Sequence, residues 1–147
     1  MSDNFNILLI DDSLADAKVF EAASQQAAPR ARVYWVATGN EGLQYLRQEG
    51  RFQGLGPVDI VVCDLNMPGT TGFDFADQMK KDPQLKMIPL IIYSGSQAPQ
   101  DVHRAYALGA NAYLVKPMTL DAIIQQVQTL VRFWLDTVRL GHGYHLD

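Results

Sequence analysis

The chain has 147 residues, a length that suits one compact domain and leaves little room for a sensor with an attached effector. Hydrophobic residues make up 48% and charged residues 19%, enough apolar material for a real core and too much for a disordered chain. Lys and Arg number 12 against 16 Asp and Glu, a formal charge of -4 with no basic block, so phosphate-backbone attraction is excluded as a driver of nucleic-acid binding.

Short β-branched runs alternate with longer helical patterns, the signature of βα units wound into a parallel sheet. Residues 7–10 form the first apolar run, which ends at Asp11-Asp12-Ser13. Ser13 can cap a helix over 14–27, and Pro29 stops it. Residues 32–36 read as the second strand, and Thr38-Gly39-Asn40 leads into a helix with Leu43 and Leu46 at helical spacing, ended by Gly50. A loop with two glycines and a proline over 51–57 precedes the most strand-like stretch, 58–63, which delivers Asp64. The turn-rich segment Leu65-Asn66-Met67-Pro68-Gly69-Thr70-Thr71-Gly72 leads into an amphipathic helix with Phe75 and Met79, limited by Pro83. The fourth strand covers 90–93, followed by Ser94-Gly95-Ser96 and a helix over 98–108 with Gly109 as its C-cap. The fifth strand, 112–115, runs into Lys116-Pro117, and a long last helix starts near Thr119.

The fold class this pattern predicts is α/β, a five-stranded parallel sheet with helices on both faces. One domain is expected over 1–140, with 141–147 as a mobile polar tail. Met1 opens on Ser-Asp-Asn-Phe-Asn, with neither a basic start nor an apolar segment, and the apolar runs are only a few residues long. A cytoplasmic protein without a membrane partner is therefore expected. Cys63 lies in the run Ile60-Val61-Val62-Cys63 and reads as a small buried hydrophobe with no redox role.

In an open parallel sheet, ligands bind outside the carboxyl ends of the strands, at the point where the strand order reverses. The residues at those ends are Asp11 and Asp12 after strand one, Asp64 after strand three, Ser94 after strand four and Lys116 after strand five. With the order 2-1-3-4-5, strands one and three are neighbours, and three carboxylates meet in one cleft. Like charges at that range raise one another's pKa unless something positive intervenes, and the remedies are a divalent cation and the Lys116 ammonium. Oxygen-only ligands select a hard metal such as Mg²⁺. Turn formation and helix capping account for Ser13, but caps need neither a lysine after the last strand nor adjacent acids after the first.

These residues resemble the receiver domains of two-component response regulators, over nearly the whole chain from about residue 7 to 135. The resemblance implies that Asp64 is the phosphorylated carboxylate. It implies too that Asp11, Asp12 and Asp64 hold Mg²⁺ with the backbone carbonyl of Asn66, and that Lys116 contacts the phosphoryl oxygens. Ser94 takes the family's Ser/Thr switch position and Tyr113 its aromatic one, although a tyrosine on a strand also needs no special role. Lys116-Pro117 resembles the family's cis peptide. No conventional turnover is implied, only Mg²⁺-dependent self-phosphorylation from a phosphodonor and self-dephosphorylation, with a histidine kinase as partner and output through protein contacts.

Between Thr119 and Leu140 the residues Leu120, Ile124, Val127, Val131, Trp134 and Val138 make one apolar stripe that can cover the sheet. Ile123, Leu130 and Phe133 widen it, so the surplus needs another surface: the chain's own domain or, the expectation favoured, a homodimer through this helix. Phe133-Trp134-Leu135-Asp136-Thr137-Val138 looks like the terminal signature of the small receivers that serve bacterial phytochromes, which implies a phytochrome-type kinase. His103, His142 and His145 show no metal-ligand spacing and are given no role. Two rivals share parts of the pattern. A flavodoxin-like FMN carrier has the same architecture but needs a phosphate-cradling loop where this chain has Asp11-Asp12. An aspartyl phosphatase of the haloacid dehalogenase type carries a DxD motif there instead.

Overall fold

The computed structural model describes residues 4–67 and 69–142. Strands β1 (Phe5–Ile10), β2 (Ala31–Val36), β3 (Ile60–Cys63), β4 (Leu90–Ser94) and β5 (Ala112–Val115) form one parallel sheet in the order β2-β1-β3-β4-β5. Helices α1 (Leu14–Ala27), α2 (Gly39–Leu46), α3 (Gly72–Lys81), α4 (Pro99–Ala107) and α5 (Leu120–Arg132) cover it. Along β1, Ile7 and Leu9 pack with Phe20 of α1 and Val127 and Val131 of α5. The alternate residues Leu8 and Ile10 pack with Leu43 of α2, Phe75 and Met79 of α3 and Ala105 of α4. Both faces of the central strands are therefore apolar, which is why β1 and β3 read as continuous hydrophobic runs rather than alternating ones.

Helix starts are fixed by short polar side chains. Ser13 Oγ accepts from the Asp16 amide, Thr38 Oγ1 from Glu41, and Thr119 Oγ1 from Ala122, while Thr71 and Asp74 form a reciprocal capping box. Register then sets the site. Ile10 lies beside Cys63, and the Asp64 amide donates to the Ile10 carbonyl at 2.9 Å, so Asp11 and Asp64 leave adjacent strands at the same level.

Two stretches depart from the sequence reading. The loop over 51–57 carries a 3-10 turn at Gly50–Phe52, and Phe52 is buried with its ring centroid 5.2 Å from that of Tyr45; core formation overrides the loop-like composition. The last helix does not run regularly to residue 140. It stops at Arg132, continues as a π-helical turn at Phe133–Thr137 closed by the Val138 amide on the Phe133 carbonyl, and then becomes extended. The wider turn breaks the 3.6-residue stripe. Trp134, Leu135 and Leu140 fold back onto the α1/α5 side of the core, whereas Phe133 stays 51% exposed. At the start of the segment expected as a mobile tail, His142 Nε2 lies 3.0 Å from the Val58 carbonyl; residues 143–147, His145 among them, lie outside the described residues. No helix among the described residues is long and apolar enough to cross a membrane.

Candidate functional site at the carboxyl ends of the strands

Asp11 is buried at the end of β1. Its Oδ1 accepts from the Ser13 amide at 2.9 Å and its Oδ2 from Lys116 Nζ at 3.0 Å. Its backbone carbonyl accepts from the Trp35 indole at 2.6 Å, which ties the β1–α1 loop to strand β2. Asp64 leaves β3 with Oδ1 accepting from the Asn66 amide at 3.3 Å and Oδ2 from Lys116 Nζ at 3.3 Å. Gly72, the first residue of α3, runs so close beneath this loop that an added Cβ would press on the Asp64 carbonyl oxygen and lie 2.7 Å from Leu65 Cα. Only glycine allows that approach.

Lys116 arrives from the sheet margin. Its amide donates to the Ser94 carbonyl at 2.8 Å, extending the β4–β5 ladder by one rung. Its ammonium lies 5.1 Å from the centre of the Tyr93 ring and bridges Asp11, Asp64 and a residue the sequence reading left unassigned, Asp16. The Lys116–Pro117 bond is trans, as are all peptide bonds among the described residues, correcting the cis expectation. Trans is the lower-energy isomer of an X–Pro bond by about 0.5–1 kcal/mol, and three carboxylates draw the ammonium into the cleft without help from the backbone.

Asp11, Asp12 and Asp64 each offer an oxygen within 4.8 Å of the others. Together with Asp16, four carboxylates face one ammonium, an excess of three formal negative charges. Burial pushes the Asp11 pKa up despite the Ser13 amide and Lys116, which pull it down. For Lys116, burial opposes the charged form, but Asp11, Asp16 and Asp64 outweigh it and hold the ammonium well above the ordinary lysine range. Burial likewise pushes the Tyr93 hydroxyl up to about 12 and keeps the Cys63 thiol protonated, in keeping with an inert cysteine. An all-oxygen donor set with excess negative charge fits a hard divalent cation.

The switch candidates sit beside this cluster. Ser94 is fully buried, and its Oγ accepts from the Ser96 amide at 3.2 Å. Ser96 Oγ is 2.6 Å from Asp101 Oδ2. Tyr113 is half-buried, and its hydroxyl donates to the Ser96 carbonyl at 2.9 Å, so the ring of β5 holds the loop that follows Ser94. The structure thus gathers Asp11, Asp12, Asp64 and Lys116 at one point, with Ser94 and Tyr113 alongside. Phe133, Trp134 and Leu135 belong elsewhere. Phe133 and Trp134 help line a groove of about 700 Å³ with Asn111, Ala112 and Leu114 along the open edge of β5, and Leu135 lies near Asn4 and Phe5 at the amino end of β1. Asp16, Trp35 and Gly72 escaped the sequence reading because each looks ordinary in place: a first-turn acid, a strand aromatic and a glycine at a helix start.

The family model described as "response regulator receiver domain" matches residues 7–128. Among curated proteins, the response regulator Rcp1 of Synechocystis sp. is 31% identical over 144 residues, covering 95% of this chain and 98% of Rcp1. Among solved structures, the phosphorylated cyanobacterial phytochrome response regulator RcpA aligns with a TM-score of 0.90 and 33% identity, over 94% of this chain and 99% of RcpA. The Mn²⁺-bound form of Rcp1 aligns with a TM-score of 0.86 and 29% identity, over 92% and 98%. Receiver domains hold a divalent cation in an acidic pocket and work with histidine kinases. The chain belongs to the response regulator receiver domain family, and its place is in phosphorelay signalling rather than in flavodoxin-type electron transfer.

Proposed function

We propose that this receiver takes a phosphoryl group on Asp64 from a histidine kinase, with Mg²⁺ held by Asp11, Asp12, Asp64 and the backbone carbonyl of Asn66. The observation that carries the reading is the convergence of one ammonium on carboxylates from β1 and β3, Lys116 Nζ being 3.0 Å from Asp11 Oδ2 and 3.3 Å from Asp64 Oδ2. An ionised Asp64 oxygen forms the O–P bond while the N–P bond to the donor imidazole breaks. The imidazole leaves with the electron pair, and no general base is needed because the nucleophile is already an anion. Lys116 neutralises charge on the phosphoryl oxygens as they move in line. A bound Mg²⁺ supplies Lewis-acid neutralisation of those same oxygens. In the return step a water oxygen attacks phosphorus, the O–P bond breaks, and inorganic phosphate and the free carboxylate result.

Ser94 can then donate its hydroxyl proton to a phosphoryl oxygen, drawing in a loop that Tyr113 already holds. Output is a change in which protein surface is presented. The similarity to RcpA and Rcp1 and the segment 133–138 favour a phytochrome-type kinase as donor. The exposed Phe133 beside the β5 groove favours a second copy of the chain as a further partner, which sedimentation equilibrium would read directly. The decisive experiment is incubation with Mg²⁺ and acetyl phosphate followed by mass spectrometry. One added phosphoryl group is expected, and none in Asp64→Asn. Labelling that persists in the variant would refute the assignment.

A further inference from the structure

An ammonium has three N–H donors and no acceptor. In this cleft all three are engaged: Lys116 Nζ reaches Asp11 Oδ2 at 3.0 Å, Asp16 Oδ2 at 3.0 Å and Asp64 Oδ2 at 3.3 Å. Phosphorylation weakens Asp64's own hold on the ammonium and frees one N–H, and a second N–H can reach the phosphoryl oxygens only if Asp11 or Asp16 lets go. The three carboxylates differ in what release would cost. The Asp11 side chain is 2% exposed and that of Asp64 11%, whereas Asp16 is 46% exposed. Asp11 released from the ammonium would be a buried charge stripped of its counter-charge. Asp16 would simply return to water. It also stands in the first turn of α1, where the helix terminus favours a carboxylate with or without the lysine.

We propose that Asp16 is a positioning residue of the phosphoryl reaction, a displaceable counter-charge that holds the Lys116 ammonium over the unphosphorylated Asp64 and yields one N–H to the phosphoryl group on arrival. The inference rests on Asp64 being the phosphoacceptor. Asp16 is not among the carboxylates grouped for the cation, and its role runs entirely through Lys116. Because the bond it gives up is a half-exposed ion pair, the exchange holds back the phosphorylated state by only a small factor. Removing the Asp16 charge leaves the third N–H waiting for the phosphoryl oxygen.

The test is a titration of the Mg²⁺-loaded chain with beryllofluoride, a mimic of the carboxyl-bound phosphoryl group, followed by calorimetry. Asp16→Asn is expected to bind about two- to fivefold more tightly than the original chain, the factor that corresponds to the strength of a half-exposed ion pair. In a Lys116→Met background the same substitution should change nothing. An equal gain without Lys116 would reduce Asp16 to general charge repulsion and overturn the proposal, as would no gain with Lys116 present. If the original chain neither binds beryllofluoride nor is labelled on Asp64, the phosphoacceptor reading itself falls. If it does both and only the Lys116 dependence is missing, the failure is confined to Asp16.

Discussion

Strands β3 and β5 both end on a charged residue that enters the same cleft, yet they are built in opposite ways. Ile60–Cys63 is buried along its whole length between β1 and β4, whereas Ala112–Val115 is half-exposed throughout and pairs with β4 alone. The candidate acceptor Asp64 is thus carried by a strand buried at every residue, and the groups that would respond, Lys116 and Tyr113, by a margin. A reacting carboxylate needs a fixed position, while a responding element has to lie at the low end of local stability if it is to move. The sheet supplies both within one layer.

The sharpest way to break this comparison is to hollow out the centre. Ile60→Ala should cost about 2–5 kcal/mol of stability, read from denaturant melts, and a loss as small as that of the half-exposed Leu114→Ala would contradict it. Next is Gly72→Ala, which sets a methyl group against the backbone of Asp64 and Leu65. A cost of about 1–3 kcal/mol is expected, together with slower phosphoryl uptake from acetyl phosphate; normal uptake would mean that the Asp64 backbone is not held as tightly as described.

Acid tests the cleft itself. Burial raises the pKa of Asp11 above the ordinary 3.8, and a cation must compete with that proton. Divalent-ion affinity should therefore fall by about tenfold per pH unit below the Asp11 pKa, starting at a higher pH than an ordinary aspartate would dictate. The folded chain holds this proton more tightly than the unfolded one, so the metal-free fold gains stability from Asp11 as pH falls through that window and loses it as pH rises. A cation titration that stays flat until the ordinary aspartate range would remove the burial argument. The smallest effect belongs to the margin: Tyr113→Phe deletes the bond to the Ser96 carbonyl and should cost about 0.5–1.5 kcal/mol without changing labelling of Asp64. Lost labelling would move Tyr113 from the response to the chemistry.

Much of this was legible in the residues. Apolar runs closed by Asp11-Asp12, Asp64, Ser94 and Lys116 give both the strands and the polar rim, because in a parallel sheet strand ends and ligand cleft coincide. What pattern could not reach depends on distances between segments. The bridge from Lys116 to Asp16 joins residues 100 positions apart, and Gly72 matters only because α3 passes under Asp64. The far end of α5 misled for a local reason: its apolar spacing is compatible with a continuous helix, and only packing against Phe5 and its neighbours selects the π turn. Phe52 escaped likewise, since two glycines and a proline disguise a side chain that the α2 side of the core takes in.

The indole of Trp35 grips the carbonyl of Asp11 from the outer strand β2 while its ring stays partly in solvent. The only other tryptophan of the chain, Trp134, lies in the π turn against the opposite end of the sheet. Light emitted by one ring therefore follows events in the acidic cleft and light from the other follows the far terminus. A single unlabelled sample carries two separate gauges, told apart by replacing either ring with phenylalanine.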